Sequence, residues 1–251
     1  MLSKIAAAAA LAIAVALTGC GSDSNSGNKD KVPELSASAL YSTAKSAMAS
    51  SDFSKAKDYL EALDTRYPFG EYTDQVQLDL IYVYYKTRST DLAAAAVERY
   101  QRINPTSIYS DYVAYMKGLI AMQKRGNLFQ EFMHLDRAQK DPTEYYEAIR
   151  TFADFIKTYP DSPYVHDARQ RIIYMKNQLA EREYLIARYY YERGAFLSSA
   201  RHCQAILYSY RDTDYIDKAM ELMATDYDKL GLKLPAENTR KVISSSLTAG
   251  K

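Results

Sequence analysis

Apolar positions recur at helical spacing in three matching segments. Ala56, Leu60 and Leu63 precede Pro68; Ala93, Val97 and Tyr100 precede Pro105; Ala148, Phe152 and Phe155 precede Pro160. Each segment has a small residue, an apolar one four positions on, another three further, and a proline five beyond that. Positions i, i+4 and i+7 share one face of an α-helix, so each segment predicts an amphipathic helix that stops at its proline. Alanine at the head lets a partner helix approach closely. Ala44 and Ile81, twelve residues before the first two alanines, hold the close-contact position of the preceding helix, and Gly118 holds it in the third unit. A fourth, degenerate unit reads Ala187, Ser199, Cys203 and Ile206, with Arg211 where proline would stand. A fifth helix pair is predicted over about 213–230 and 235–247.

Local signals agree with this division. Asp141-Pro142-Thr143-Glu144 reads as an N-cap, a proline at the first helical position and a capping-box glutamate. Ser162-Pro163 opens the next helix similarly, and Gly126, Gly194 and Gly231 read as helix C-terminal glycines. Residues 165–193 contain no breaker and predict one unusually long helix. The prolines at 68 and 105 lie 37 residues apart, whereas 105 to 160 is 55, which implies an insertion at about 125–141. The pattern resembles the tetratricopeptide repeat, whose period is about 34 residues. The expected fold is all-α, a tetratricopeptide-type α-solenoid of about five helix pairs over residues 34–247, with a tail at 248–251. Each pair has an apolar face that it cannot bury alone, so stability comes from stacked neighbours. A compact helical bundle is the alternative architecture.

The first residues read differently. Lys4 precedes an apolar run at 5–17, which is too short to span a bilayer. Residues 1–19 therefore read as a secretory signal peptide. The run ends in Leu17-Thr18-Gly19-Cys20, which resembles the lipobox of bacterial lipoproteins. That resemblance makes Cys20 the lipidated N-terminus of the mature chain; an ordinary signal peptide with a chance cysteine is the other reading. Gly21 resembles an outer-membrane sorting signal, since an aspartate there favours inner-membrane retention in enterobacteria. Residues 20–33 are rich in Gly, Ser, Asn, Asp and Lys and read as a flexible tether with a reach of roughly 20 Å.

Composition narrows the function. Lys and Arg number 32 against 31 Asp and Glu, and removal of Lys4 balances them. Nothing in that balance predicts nucleic-acid binding. With Cys20 lipidated, Cys203 has no disulfide partner and reads as a small buried hydrophobe. His134, His166 and His202 lack metal-ligand spacing, and no P-loop, Gly-x-Gly-x-x-Gly or Gly-x-Ser-x-Gly motif occurs. The expectation is a protein that is not an enzyme, with no catalytic or metal site and no cofactor beyond the covalent lipid on Cys20. Glu181, Glu183 and Glu192 alternate with Arg182, Arg188 and Arg193 in the manner of a solvated helix face. The 24 tyrosines have two readings. Tyr82, Tyr84 and Tyr85 cannot all face one side of a helix, so many pack between helices; others could line a concave peptide-binding surface.

One stretch is more specific than the generic repeat. Leu63-Asp64-Thr65-Arg66-Tyr67-Pro68-Phe69-Gly70-Glu71-Tyr72, followed by Gln75-Val76-Gln77-Leu78-Asp79-Leu80-Ile81-Tyr82, resembles the BamD family of outer-membrane protein assembly lipoproteins. The likeness continues in Asn104-Pro105-Thr106, in Asp136-Arg137 and in Tyr189-Tyr190 with Glu192-Arg193-Gly194-Ala195. It implies a non-enzymatic subunit of the β-barrel assembly machinery on the periplasmic face of the outer membrane. It further implies partners: the POTRA domains of the barrel subunit BamA, other lipoproteins of the complex, and unfolded outer-membrane β-barrel proteins. On this resemblance the BamA contact falls around Tyr189, Tyr190, Arg193 and Arg201, and the substrate groove around Arg66, Tyr67, Phe69 and Tyr72. A rigid inter-repeat turn is the competing reading of Tyr67-Pro68-Phe69-Gly70, and Arg211 departs from the family's usual proline. The rival functions are a tetratricopeptide lipoprotein regulating peptidoglycan synthesis or hydrolysis, and a pilotin guiding secretin assembly.

Overall fold

Periodic apolar faces give ten helices among the described residues, which in this computed structural model are 32–123 and 143–249. The signal peptide, Cys20, most of the tether, Gly126, His134, the 125–141 insertion and Asp141-Pro142 lie outside them. The helices are α1 (Ala37–Ala49), α2 (Phe53–Arg66), α3 (Thr73–Lys86), α4 (Thr90–Ile103), α5 (Ser110–Gln123), α6 (Thr143–Thr158), α7 (Val165–Glu192), α8 (Phe196–Ser209), α9 (Ile216–Lys229) and α10 (Lys233–Ala249). The described residues contain no strand.

Each helix packs chiefly on its neighbours in sequence, and first helices also touch across pairs, α3 against α5 and α7 against α9. This is the contact pattern of a solenoid of helix pairs, with the first helices on the inner side of the curve. The repeat positions behave as the spacing predicts. Ala56, Leu60 and Leu63, then Ala93, Val97 and Tyr100, then Ala148, Phe152 and Phe155, and in the degenerate unit Ser199, Cys203 and Ile206, are all buried. Ala44, Ile81 and Ala187 are buried opposite them. Gly118 is the tightest contact: a Cβ there would lie 2.5 Å from the Phe152 ring. Helix α3 shows why stacking matters. Its Val76, Leu80 and Val83 join the core of the first pair, while Leu78 and Ile81 join the core that runs on toward the C-terminus.

Two kinds of turn alternate. Within a pair, the first helix ends on a left-handed residue: Ser51 (φ 61°), Arg88 (φ 56°), Gly194 (φ 73°) and Gly231 (φ 73°). The following N–H groups close back on the helix in the same way each time, as in Gly194 N–H to Tyr191 C=O and Ala195 N–H to Tyr190 C=O. This is a Schellman cap, which satisfies carbonyls the helix leaves open. Between pairs, the residue before proline leaves helical space, because proline's ring crowds it. Tyr67 (φ −131°, ψ 59°) and Asn104 (φ −123°, ψ 61°) show this geometry. Tyr210 adopts it too (φ −134°, ψ 45°) although Arg211 follows. Buried Tyr210 is pinned there by contacts with two side chains: its hydroxyl meets that of Tyr146 at 2.9 Å, and Thr213 donates to its carbonyl at 2.7 Å.

Candidate binding surfaces

The inter-pair turns place a tyrosine at the N-cap of α3, α7 and α9: Tyr72, Tyr164 and Tyr215. Each ring lies against a tyrosine of the previous first helix. Tyr72 stacks on Tyr41 at 4.6 Å, Tyr164 on Tyr115 at 4.7 Å, and Tyr215 tilts against Tyr184 at 5.7 Å. The signal was available in the sequence as a tyrosine four residues after each proline or its substitute, at 72, 109, 164 and 215. Spacing from the apolar positions alone does not reveal it. Tyr82, Tyr84 and Tyr85 all pack against the core, and the Tyr84 hydroxyl donates to Glu61 at 3.0 Å.

At the N-terminal end the inner face carries Tyr41, Tyr72, Lys45, Gln75 and Asp79. Asp79 is buried and accepts from Lys45 at 3.3 Å and Gln75 at 3.2 Å. Burial, and then the Asp79 charge, push the Tyr41 hydroxyl up to about 12, so it stays protonated as a donor. The four residues expected to form a substrate groove are divided among three surroundings. Arg66 donates to the carbonyls of Pro33 and Val32, both at 2.6 Å, and the Tyr67 hydroxyl donates to Leu35 C=O at 3.1 Å. These two therefore clasp the backbone of residues 32–35 onto the first pair. Tyr72 faces Tyr41 on the inner side, and Phe69 projects into solvent from the turn, 98% exposed.

At the other end, three of the expected partner residues come together where α7 stops. The Arg193 guanidinium lies 3.4 Å above the Tyr189 ring, and its Nη1 donates to the Tyr189 carbonyl. Tyr190 meets Tyr189 edge-on at 5.6 Å and stacks on His202 of α8 at 5.5 Å. His202 in turn holds Glu183 at 2.7 Å. Glu183 is thus a half-buried support of this cluster rather than part of a purely solvated face, whereas Arg188 and Glu192 form the expected exposed i,i+4 pair. Arg201 sits exposed beside His202 on α8. The sequence offered no reason to join His202 and Glu183 to the motif, because they lie nineteen residues apart on different helices.

Other chemistry-bearing groups are structural. Cys203 is buried, and burial followed by the Asp226 charge push its thiol up to about 12, an inert state. Burial works against Asp167, but hydrogen bonds from Arg171 and Tyr115 hold it below the usual carboxylate range. A cleft of about 730 Å³ opens between α4, α5 and α6, lined by Lys117, Glu147, Arg150 and Asp154 among others. Among the described residues no cluster of His, Cys, Asp or Glu could hold a metal ion, and no helix is long and apolar enough to cross a membrane.

Fold and surfaces together define a tetratricopeptide-type helical repeat protein with two aromatic surfaces, one at each end. The family described as "Outer membrane lipoprotein" (YfiO) matches residues 33–242. The chain is 39% identical over 214 residues to the outer membrane protein assembly factor BamD of Vibrio cholerae serotype O1, covering 85% of this chain and 89% of that protein. It is 33% identical over 211 residues to BamD of Neisseria meningitidis serogroup A, covering 84% and 79%. Among solved structures, the MamA protein superposes at a TM-score of 0.33 and 13% identity, covering 82% of this chain and 89% of that one, too loosely to argue from. The chain belongs to the BamD (YfiO) family of outer membrane lipoproteins.

Proposed function

We propose that this protein is a non-enzymatic scaffold of outer-membrane β-barrel assembly, held to the periplasmic face of the outer membrane by lipid on Cys20. The observation that carries the reading is the near full-length match to proteins named outer membrane protein assembly factor, joined to a fold whose two ends present aromatic surfaces. The C-terminal surface, Tyr189, Tyr190 and Arg193 with Arg201 beside them, would engage the POTRA domains of BamA. Its support is physical: an exposed tyrosine and arginine already fixed against each other lose little freedom on docking, and these residue types dominate interface energetics.

The N-terminal surface would receive unfolded barrel proteins. Tyr41 and Tyr72 offer ring faces and polar tips on the inner side, whereas Phe69, also expected in the groove, stands apart from them on the exposed turn. Arg66 and Tyr67 hold the chain's own residues 32–35 by backbone carbonyls, a contact independent of side-chain identity, and that supports the reading by analogy. A helical surface offers few such backbone partners, so client binding would be weak and reversible, as transfer to BamA requires. Other lipoproteins of the complex are the remaining expected partners.

The test is a pull-down of the tagged lipoprotein from gently solubilised envelopes, with partners identified by mass spectrometry. The expected result is recovery of a POTRA-bearing barrel protein at near-stoichiometric yield. Recovery of cell-wall enzymes or a secretin, without such a barrel, would leave the solenoid intact and overturn the assigned role.

A further inference from the structure

The inter-pair turns change character along the array. The first carries Phe69, 98% exposed, and the second carries Ile108, 85% exposed, with Ile103 and Tyr109 beside it. At the corresponding positions the third turn has Asp161 and Pro163, and the fourth has Asp212 and Asp214. Tyr208 apart, the large apolar side chains that stand exposed at these turns belong to the first two. Side chains this exposed contribute nothing to the fold, and a repeat that needs only a turn at these positions accepts aspartate, as the later turns show.

The same edge is where the chain enters the fold. Arg66 and Tyr67 hold residues 32–35 on the first turn through three backbone carbonyls, and Val32 and Leu35 pack against the first pair. Cys20 stands twelve residues before Val32. That length spans at most about 40 Å extended and roughly 20 Å as a coil. An anchor at Cys20 therefore keeps the first turn, and the second beside it, closer to the bilayer than the charged turns at the far end. Charges near the apolar pair are of both signs, with Arg66, Glu71, Asp74, Arg102 and Asp111 along the edge. Such a surface suits a zwitterionic leaflet rather than an anionic one.

We propose that the edge formed by the first two inter-pair turns lies on the membrane surface, with Phe69 and Ile108 entering the interfacial layer. The inference rests on the lipid-anchored reading above. It fixes the attitude of the solenoid: two apolar contacts beside the tether point hold the client-facing end at the bilayer, and the C-terminal surface stays free to reach a partner. An aromatic or aliphatic side chain set a few ångströms into the headgroup layer adds little affinity alone, but the anchor supplies the effective concentration.

The chain has no tryptophan, so a single introduced one reports cleanly. Full-length lipidated Phe69→Trp and Ile108→Trp would be reconstituted on phosphatidylcholine vesicles with ordinary or brominated acyl chains. Leu92→Trp, near the within-pair turn at the opposite edge, serves as control. The expected result is a blue-shifted emission for the first two, quenched about two-fold by brominated lipid, and a water-like, unquenched control. Vesicle flotation reads the anchor separately. Flotation with water-like emission at both positions would overturn the membrane edge and leave the anchor standing. Failure to float would remove the anchor and the inference with it. An emission shift only on addition of a barrel protein's C-terminal peptide would assign the edge to client rather than lipid, and would also overturn the proposal.

Discussion

At the scale of single residues, the four Schellman turns separate conformational cost from packing. Gly194 has φ 73° and nothing within 4 Å of where a Cβ would stand. Gly194→Ala should therefore lose about 1 kcal/mol from left-handed strain alone, read as a lowered denaturant midpoint. Arg88 occupies the same conformation with a side chain, at φ 56°. Arg88→Gly should stabilise by about 0.5 kcal/mol and raise the midpoint, because relief of strain is partly offset by glycine's greater unfolded freedom. Asp226 carries a different cost. It is fully buried with neither carboxylate oxygen hydrogen-bonded, and burial pushes it up to about 6. A carboxyl whose folded value is raised adds stability that is complete below about pH 4 and is lost as pH rises through about 6. Asp226→Asn should accordingly stabilise the fold at pH 7.5, by as much as about 3 kcal/mol and read as a higher melting temperature, and by clearly less at pH 5. An equal gain at both pH values would show that charge is not the cause.

At the scale of helices, the fit between first and second members of a pair decides which residues the repeat tolerates. The Gly118 Cβ position lies 2.5, 2.6 and 2.9 Å from three atoms of the Phe152 ring, and Phe152 is fully buried. Alanine is the better helix former by about 1 kcal/mol, yet the ring has no space to yield. Gly118→Ala should destabilise by about 1–3 kcal/mol, and Phe152→Leu should recover part of that loss in the double variant. Strict additivity in thermal melts would mean that the two do not compete for space. The pairing of Gly118 with the third segment was readable from a twelve-residue offset in the other pairs, even though the intervening insertion breaks the period. The long α7 was readable from the lack of any breaker. Spacing could not show that Tyr210 would keep the pre-proline geometry with Arg211 behind it, because the contacts that pin it come from Tyr146, 64 residues away, and Thr213. Nor could it show that Arg66 and Tyr67 turn toward residues 32–35, since a polar segment without periodicity gives no sign of where it docks.

At the scale of the whole molecule, the two ends of the solenoid differ in how they are prepared for partners. The N-terminal end is partly occupied by its own chain, whereas at the C-terminal end Tyr189 and Arg193 are exposed and mutually fixed. Tyr190, His202 and Glu183 behind them form a chain of stacked and hydrogen-bonded groups joining α7 to α8. If this is the POTRA-binding surface, the contact pair and its support should separate by experiment. Tyr189→Ala and Arg193→Ala should each weaken binding of a BamA POTRA fragment about ten-fold or more, with thermal stability changed by no more than about 0.5 kcal/mol, since neither side chain is buried. His202→Ala should act through Tyr190, with a smaller loss of affinity accompanied by a measurable drop in melting temperature. Calorimetric titration beside thermal melts distinguishes the two patterns. Unchanged affinity in both Tyr189→Ala and Arg193→Ala would move the interface off the end of α7, leaving the stacked cluster as a brace between the fourth pair's helices.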